Sequence, residues 1–312
     1  MPAMITDNEI TYTIGIDIGG TKISSALVYQ GKIKGEIHKI KTPQTLEEIK
    51  QAVIQMILNL KDNYTTSNIG IATAGVVDVT TGQVLSATEN LPTGYNSINF
   101  KDTIETTFNI NTYIDNDANA AAIGEYLFGA ARGTKNTIVL TIGTGIGAGI
   151  IINNKIFRGS QFAAGECGHI IISQDKDRPC TCGKHGCWEA YASGTGLTTT
   201  ARIIAKKLNK NPANYDSFTV IEGIKNNNST CLKIYNIWLE HLSSGLISLM
   251  NVFDPDSIVL GGSMAEHIDF KELNSLVSNK SPSRIEIKKA KLGNNAGIIG
   301  IASLPYIDQI KQ

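Results

Sequence analysis

The sequence predicts an α/β protein of two domains, and three observations carry that expectation. The chain has 312 residues, more than one hydrophobic core normally serves, because single cores stop growing at about 250–300 residues. Short β-branched runs alternate with segments of helical periodicity, the pattern of sheets covered by helices rather than of a β-barrel. The segment GIDIGGTKIS at 15–24 is echoed by TIGTGIGAGI at 141–150, so each half opens with a strand, a glycine turn and another strand.

Taken in order, 11–18 and 23–29 are β-branched runs separated by Gly19-Gly20-Thr21, and 33–40 continues with some alternation, which predicts an antiparallel start built from hairpins. Residues 45–60 place Leu46, Ile49, Val53, Ile54, Ile57 and Leu58 at helical spacing behind a start signal of Thr45 and Glu48. A strand is expected at 69–74 and a short one at Val84-Leu85 after the Thr81-Gly82 turn. A helix at 103–108, a strand at 111–114 and an alanine-rich helix at 117–129 complete the first half. The second half begins with strands at 137–142 and 146–152 around Gly143-Thr144-Gly145, and a third strand starts near Lys155. Helices follow at about 195–209, 218–226, 230–251 and 265–277, with short strands at 257–260 and 285–288, and a closing helix spans about 294–303. The apolar positions of 230–251 read as core.

Composition narrows the function classes. With 42% hydrophobic and 18% charged residues the chain is globular. Twenty-eight basic residues balance 28 acidic ones, so no general attraction to nucleic acid or to an anionic membrane is expected. No apolar run approaches membrane-spanning length and the start lacks a signal-like pattern, so a cytoplasmic protein is expected. Three of the five cysteines lie within eight residues, and the odd total argues against a disulfide scaffold. Glycine stands at 30, above the usual roughly 7%, so backbone geometry is in use at many points.

The first such point is Asp17-Ile18-Gly19-Gly20-Thr21-Lys22. The glycines let the backbone bring N–H groups close to a polyanion, Thr21 offers a hydroxyl, Lys22 adds positive charge, and Asp17 can approach a hydrated Mg²⁺ on a triphosphate. The spacing is neither that of a P-loop nor that of a dinucleotide-binding turn. Gly143-Thr144-Gly145 and Gly261-Gly262 have the same strand-then-glycine form, and three such turns can converge on one nucleotide.

Two further constellations carry chemistry. Asp115-Asn116-Asp117-Ala118-Asn119 sits where a strand passes into a helix; a carboxylate there is either a helix cap or a general base able to take the proton of a weakly nucleophilic hydroxyl. Cys180, Cys182 and Cys187 lie in a glycine-bent loop, and His169 eleven positions upstream of Cys180 completes a Cys₃His set suited to tetrahedral, structural Zn²⁺. Spacing alone leaves His185 as a competing nitrogen ligand.

These motifs together, DIGGTK at 17–22, the Asn-Asp pair followed by Ala-Asn at 116–119, and Glu166-Cys167-Gly168-His169 followed by CxCGxxGCxE over 180–189, resemble those of the ROK family of sugar kinases and related repressors, including glucokinases and N-acetylmannosamine kinases. The resemblance covers nearly the whole chain after about residue 11. It implies two actin-like (ribonuclease H-like) ATPase domains with an interdomain cleft, at 1–122 and 123–293, with a zinc-binding insertion at about 166–189 and a final helix, about 294–312, packing back on the first domain. It implies an ATP-dependent hexose kinase acting on the 6-hydroxyl of an aldohexose, with glucose first, and N-acetylmannosamine or mannose as alternatives. Asp117 is the implied catalytic base, and Asn116, Glu166, His169 and Glu189 the sugar ligands, with Gly75 and Asn90 lining the same pocket. ATP with Mg²⁺ falls to Asp17, Gly19, Gly20, Thr21, Lys22, Gly143, Thr144, Gly145, Gly261 and Gly262. Zn²⁺ falls to His169, Cys180, Cys182 and Cys187, leaving Cys167 a bystander; Asp115 receives no role.

Leu91-Pro92-Thr93-Gly94-Tyr95 departs from the Leu-Pro-Gly-Trp form of bacterial glucokinases, which keeps other hexoses and N-acetylhexosamines open. Repressor members of the family carry an N-terminal helix-turn-helix, for which a first strand at residue 11 leaves no room, so neither nucleic acid nor membrane is an expected partner. A homodimer is expected from the relatives. Rival readings are a non-catalytic sugar sensor and a zinc-stapled interaction domain.

Overall fold

The protein is described by a computed structural model covering residues 11–61, 64–87, 90–175, 177–278, 280, 282 and 285–307. The chain divides into two compact units: residues 1–135, 149–164 and 291–312 form unit 1, and 136–148 with 165–290 form unit 2.

Unit 1 opens with β1 (Tyr12–Ile18), β2 (Lys22–Tyr29) and β3 (Lys32–Lys41), joined by tight turns as an antiparallel meander. Helix α1 (Leu46–Lys61) then carries the chain across to β4 (Thr66–Thr73), which pairs parallel with β1. A small hairpin of β5 (Val76–Asp78) and β6 (Gln83–Ser86) precedes α2 (Phe100–Phe108), whose first turn is capped by Asn99 accepting from the Asp102 N–H. Strand β7 (Asn111–Asn116) joins β4 in parallel, giving the order β3-β2-β1-β4-β7, and runs directly into α3 (Asp117–Phe128).

The alternation of β1 explains the layering. Ile14, Ile16 and Ile18 are fully buried with Ile49, Val53 and Ile57 of α1 and Phe100 and Ile104 of α2. Residues of the opposite parity face the last helix of the chain, whose backbone comes so close that a Cβ on Gly15 would strike the carbonyl of Ile298 and one on Gly70 the carbonyl of Ile301.

Unit 2 contains β8 (Thr137–Ile142) and the start of the strand that follows it, whose residues from Gly149 on belong to unit 1. After β9 (Ile146–Ile152) and β10 (Lys155–Ile156) come α4 (Glu189–Ala192), α5 (Gly194–Lys207), α6 (Ser217–Lys225) and α7 (Ser229–Phe253), then β11 (Ser257–Gly261), α8 (Phe270–Ser278), β12 (Ile287–Lys289) and α9 (Ala296–Ile307). The second sheet has the order β10-β9-β8-β11-β12, with β11 parallel to both β8 and β12. Long α7 buries Ile234, Trp238, Leu242 and Leu246 completely, in keeping with its reading as core.

Helix α9 belongs to unit 1. Its Gly300 leaves no room for a Cβ beside the Ala120 carbonyl, so α3 and α9 cross at backbone contact. The expected extension of this helix to 312 lies partly outside the described residues. Among the described residues no helix is long and apolar enough to cross a membrane.

Candidate active site

The first glycine turn is tied down at its base. The Gly19 N–H donates to the Lys22 carbonyl at 3.0 Å, and Thr42 both donates its hydroxyl to the Gly19 carbonyl at 2.6 Å and its N–H to the Thr21 carbonyl at 3.1 Å. Thr21 and Lys22 are exposed at the tip. Asn90 lies on Gly20, where a Cβ would come within 2.6 Å of the Asn90 Cβ, so two residues assigned to different ligands sit side by side. Asp17 is half-buried at the end of β1; burial raises its carboxyl above the ordinary value, and the Lys22 charge offsets part of that.

At the junction of β7 and α3 the capping work falls to Asn116. Its Oδ1 accepts from the N–H groups of Ala118 (2.8 Å) and Asn119 (3.1 Å), and its Nδ2 donates to the Gly75 carbonyl at 2.9 Å. Gly75 has φ +104°, and a Cβ there would collide with the Ser86 carbonyl, so only glycine presents that carbonyl. The commonplace explanation for a carboxylate at this place, a helix cap, is thereby met by its neighbour. Asp117 is the first helical residue, half-buried, with Oδ1 also near its own Ala118 N–H at 2.9 Å.

Sequence reasoning missed what holds this junction. Asp115 is 1% exposed; its Oδ2 accepts from Arg158 Nε (2.9 Å) and Nη2 (2.6 Å), and its Oδ1 from the Asn116 N–H (2.8 Å) and Asn119 Nδ2 (2.9 Å). The ion pair and its bonds pin the residues on either side of Asp117. No sequence signal links positions 43 apart; only the fold does.

The departure at Leu91-Pro92-Thr93-Gly94-Tyr95 resolves into a packing feature. Tyr95 is 1% exposed, and its hydroxyl shares a 2.8 Å hydrogen bond with Thr73 Oγ1. Burial first, and the Asp117 carboxylate in addition, push the Tyr95 phenol well above its ordinary pKa, against the Thr73 hydrogen bond. Tyr95 is thus tied to Thr73 in the core, and Thr93 is the exposed side chain of this turn.

In unit 2 the second and third glycine turns close parallel neighbours, β8 and β11. Gly262 has φ +85°, and a Cβ there would overlap the backbone of Ile142, so the Gly261-Gly262 turn lies on the last residue of β8, immediately before Gly143. The Gly143 N–H donates to the Gly145 carbonyl at 2.9 Å, and Thr144 is exposed.

His169, Cys180, Cys182 and Cys187 place one ligand atom each within 4.8 Å of one another. The contacts His169 Nδ1 to Cys180 Sγ and Cys182 Sγ to Cys187 Sγ are both 3.5 Å, close to the roughly 3.8 Å between ligands of tetrahedral zinc with bonds near 2.3 Å. His185 is exposed and outside this group; its backbone pairs with Pro179 in the turn that presents Cys180. Cys167 is buried away from the cluster, its thiol pushed up to about 12 by burial first and the Glu166 charge second, which makes it inert. His169 turns Nε2 toward Glu166 Oε2 at 3.7 Å. The predicted site residues thus gather into one set in each unit: Asp17, the 19–22 turn, Gly75, Asn90, Asn116 and Asp117 in unit 1, and the other turns, Glu166, Glu189 and the Cys₃His cluster in unit 2.

The sequence profile of the ROK family matches residues 13–306. The chain belongs to the ROK family. It is 32% identical over 313 residues to the glucokinase of Streptomyces coelicolor, covering 94% of this chain and 96% of that protein. It is also 32% identical over 326 residues to the xylose repressor of Bacillus spizizenii, covering 99% of this chain and 82% of the repressor. Among solved structures, a ROK-family glucokinase from Streptomyces griseus in complex with glucose and AMPPNP superposes with a TM-score of 0.78 at 32% identity, over 94% of this chain and 98% of that one. A ROK hexokinase from Thermus thermophilus gives 0.80 at 26% identity, over 96% and 99%. The fold is the mixed α/β kinase fold of this family, with a sheet in each of two lobes.

Proposed function

We propose that this protein is an ATP-dependent hexose kinase that phosphorylates the 6-hydroxyl of glucose, with Asp117 as general base. The observation that carries the reading is the end-to-end match to a glucokinase solved with glucose and AMPPNP, in a chain where Asn116, not Asp117, is the N-cap of α3. In the reaction the Asp117 carboxylate takes the proton of the sugar's primary hydroxyl as that oxygen bonds to the γ-phosphorus. The bond from phosphorus to the β–γ bridging oxygen breaks, and ADP leaves with the electron pair. The backbone N–H groups of the 19–22 and 143–145 turns, with Lys22, bind the phosphate oxygens, and Asp17 faces the Mg²⁺ that arrives with ATP. Gly261-Gly262 lies by the nucleoside, and Glu166, His169, Glu189, Asn90 and Gly75 orient the sugar.

The finer fold assignment belongs to the same reading: both lobes are actin-like, and the reaction requires the two residue sets to meet one MgATP and one sugar in a cleft. Zinc, when bound by His169, Cys180, Cys182 and Cys187, has a complete shell and supplies structure rather than Lewis acidity. The repressor relatives favour a sensor, but a sensor needs no base at position 117. Coupled measurement of ADP release with MgATP across glucose, mannose and N-acetylmannosamine tests the reading: turnover with glucose that D117N abolishes supports it, and sugar binding without turnover in the unmutated protein refutes it.

A further inference from the structure

We propose that Glu189 is a positioning residue that couples the Cys₃His knuckle to the Gly143-Thr144-Gly145 turn, so that metal held by the knuckle sets the affinity for nucleotide phosphates. This rests on the preceding reading of that turn as a phosphate loop. All the groups concerned lie in unit 2.

Each carboxylate oxygen of Glu189 accepts from one N–H or hydroxyl donor and keeps a lone pair for the sugar hydroxyls assigned to it above. Oε2 accepts from the Ile146 N–H at 3.0 Å, at the residue that follows the turn, and Oε1 accepts from the Thr181 hydroxyl at 3.1 Å, inside the knuckle between Cys180 and Cys182. The carboxylate packs so closely on Gly145 that a Cβ there would overlap Oε2. One residue therefore bridges the metal loop and the turn, directly from side chain to backbone.

The other side of the turn is held by the same stretch of chain. The Gly194 N–H donates to the Gly143 carbonyl at 2.8 Å, five residues beyond Glu189. Between the knuckle and these contacts stands Trp188, fully buried, with its indole against Gly245 of α7 and its Nε1 donating to the His241 carbonyl at 2.9 Å. Residues 187–194 thus run from a ligand cysteine, through an anchored tryptophan, to two clamps on Gly143 and Ile146. Within the 180–187 loop the Cys180 N–H donates to the Lys184 carbonyl at 2.8 Å and the Ile172 N–H to the Gly186 carbonyl at 2.9 Å, but Thr181 and Cys182 are exposed at its tip, and an ion held by its three cysteines and His169 would add a constraint there. Glu189 Oε1 also lies 3.6 Å from Cys180 Sγ, so an ion on Cys180 and Cys182 would fix both neighbours of Oε1, and without it the Thr181 bond and the acceptor offered to the turn would be held less firmly.

The test is calorimetric binding of Mg–AMPPNP to the full chain, as prepared with metal and after chelation, with metal content measured in parallel. Removing one part-buried acceptor is expected to weaken nucleotide binding about 10-fold in E189A, and loss of the single Thr181 bond about 3-fold in T181V, which retains one metal per chain. E189Q stays near the unmutated affinity, because a glutamine oxygen still accepts from Ile146 and its amide still meets the Thr181 hydroxyl. Chelation weakens binding in the unmutated chain by about as much as T181V does, and chelating T181V or E189A adds little, since each has already lost the same linkage. Unmutated affinity in E189A, or an equal loss on chelation with and without Glu189, overturns the coupling. If E189A fails to fold, unchanged affinity in T181V overturns it instead. Failure of the unmutated, metal-loaded chain to bind Mg–AMPPNP refutes the phosphate-loop reading itself, and this inference with it.

Discussion

Removing Arg158 tests how the catalytic junction is held. Asp115 is 1% exposed and Arg158 20% exposed at the side chain, so R158A strands a buried carboxylate whose Oδ2 loses both of its donors at 2.6 and 2.9 Å. Breaking a buried pair by removing one partner costs about 3–5 kcal/mol, whereas replacing both partners by uncharged groups of similar volume is much milder. The partial exposure of Arg158 lets water reach the vacated place, which puts the expectation near the lower end, about 3 kcal/mol. D115N/R158M, which removes the stranded charge, should lose only about 1 kcal/mol, about 2 kcal/mol less than R158A. Urea unfolding followed by circular dichroism reads this. Both tryptophans, Trp188 and Trp238, lie in unit 2, so tryptophan fluorescence recorded alongside separates loss in unit 1 from loss elsewhere. Because Asp115 also holds the Asn116 N–H and Asn119, kcat is expected to fall more than the KM for ATP rises. An R158A protein within about 0.5 kcal/mol of the unmutated one, or a double variant as unstable as the single, refutes the reasoning.

Other outcomes follow from the same contacts. Asp17 has a raised carboxyl pKa, from burial first, so its charged form costs stability once pH exceeds the folded-state pKa. D17N is therefore expected to be more stable than the unmutated protein at pH 7 while losing turnover, and the stability difference should close as pH falls through the folded pKa toward the ordinary carboxyl range; denaturation at several pH values reads it. Metal analysis should return one zinc per chain for the unmutated protein and for C167S, and none for C187S, since Cys167 lies outside the cluster and Cys187 within it. G300A forces a Cβ against the Ala120 carbonyl and should cost about 2–3 kcal/mol by overpacking, read by chemical denaturation.

Much of the fold was legible because local pattern and tertiary demand agree. The runs at 11–18, 23–29 and 33–40 fold as β1 to β3 within a residue or so, and the alanine-rich stretch at 117 becomes α3. The expected helix at 265–277 divides into a 3₁₀ turn, Ser263–His267, and α8. Asp269 starts the second piece by accepting from the N–H groups of Lys271 and Glu272, and the Tyr235 hydroxyl of α7 enters the break, donating to the His267 carbonyl and accepting from the Asp269 N–H. That contact comes from another helix, and no local pattern announces it. Helix α9 reaches Ile307 with Pro305 inside it, past the end near 303 read from the local pattern; it is apolar almost throughout, so periodicity could not mark its limit.

The site divides the same way. Turns rich in glycine, an Asn-Asp pair before a helix and three closely spaced cysteines are local signals. The partners of Asp115 and Glu189 are not, because Arg158 and Ile146 reach them across 43 positions each. The choice between His169 and His185 was likewise open by spacing, and the fold brings His169 to the cysteines.

The central claim, that Asp117 serves phosphoryl transfer from ATP to a hexose, is tested most directly by following ADP release with MgATP and glucose in the unmutated protein and in D117N. The account predicts glucose-dependent ADP formation and glucose 6-phosphate in equal amounts, with D117N binding both ligands and turning over at least about 1,000-fold more slowly. Undiminished turnover in D117N, or no sugar-dependent ADP formation with any hexose tried, contradicts it.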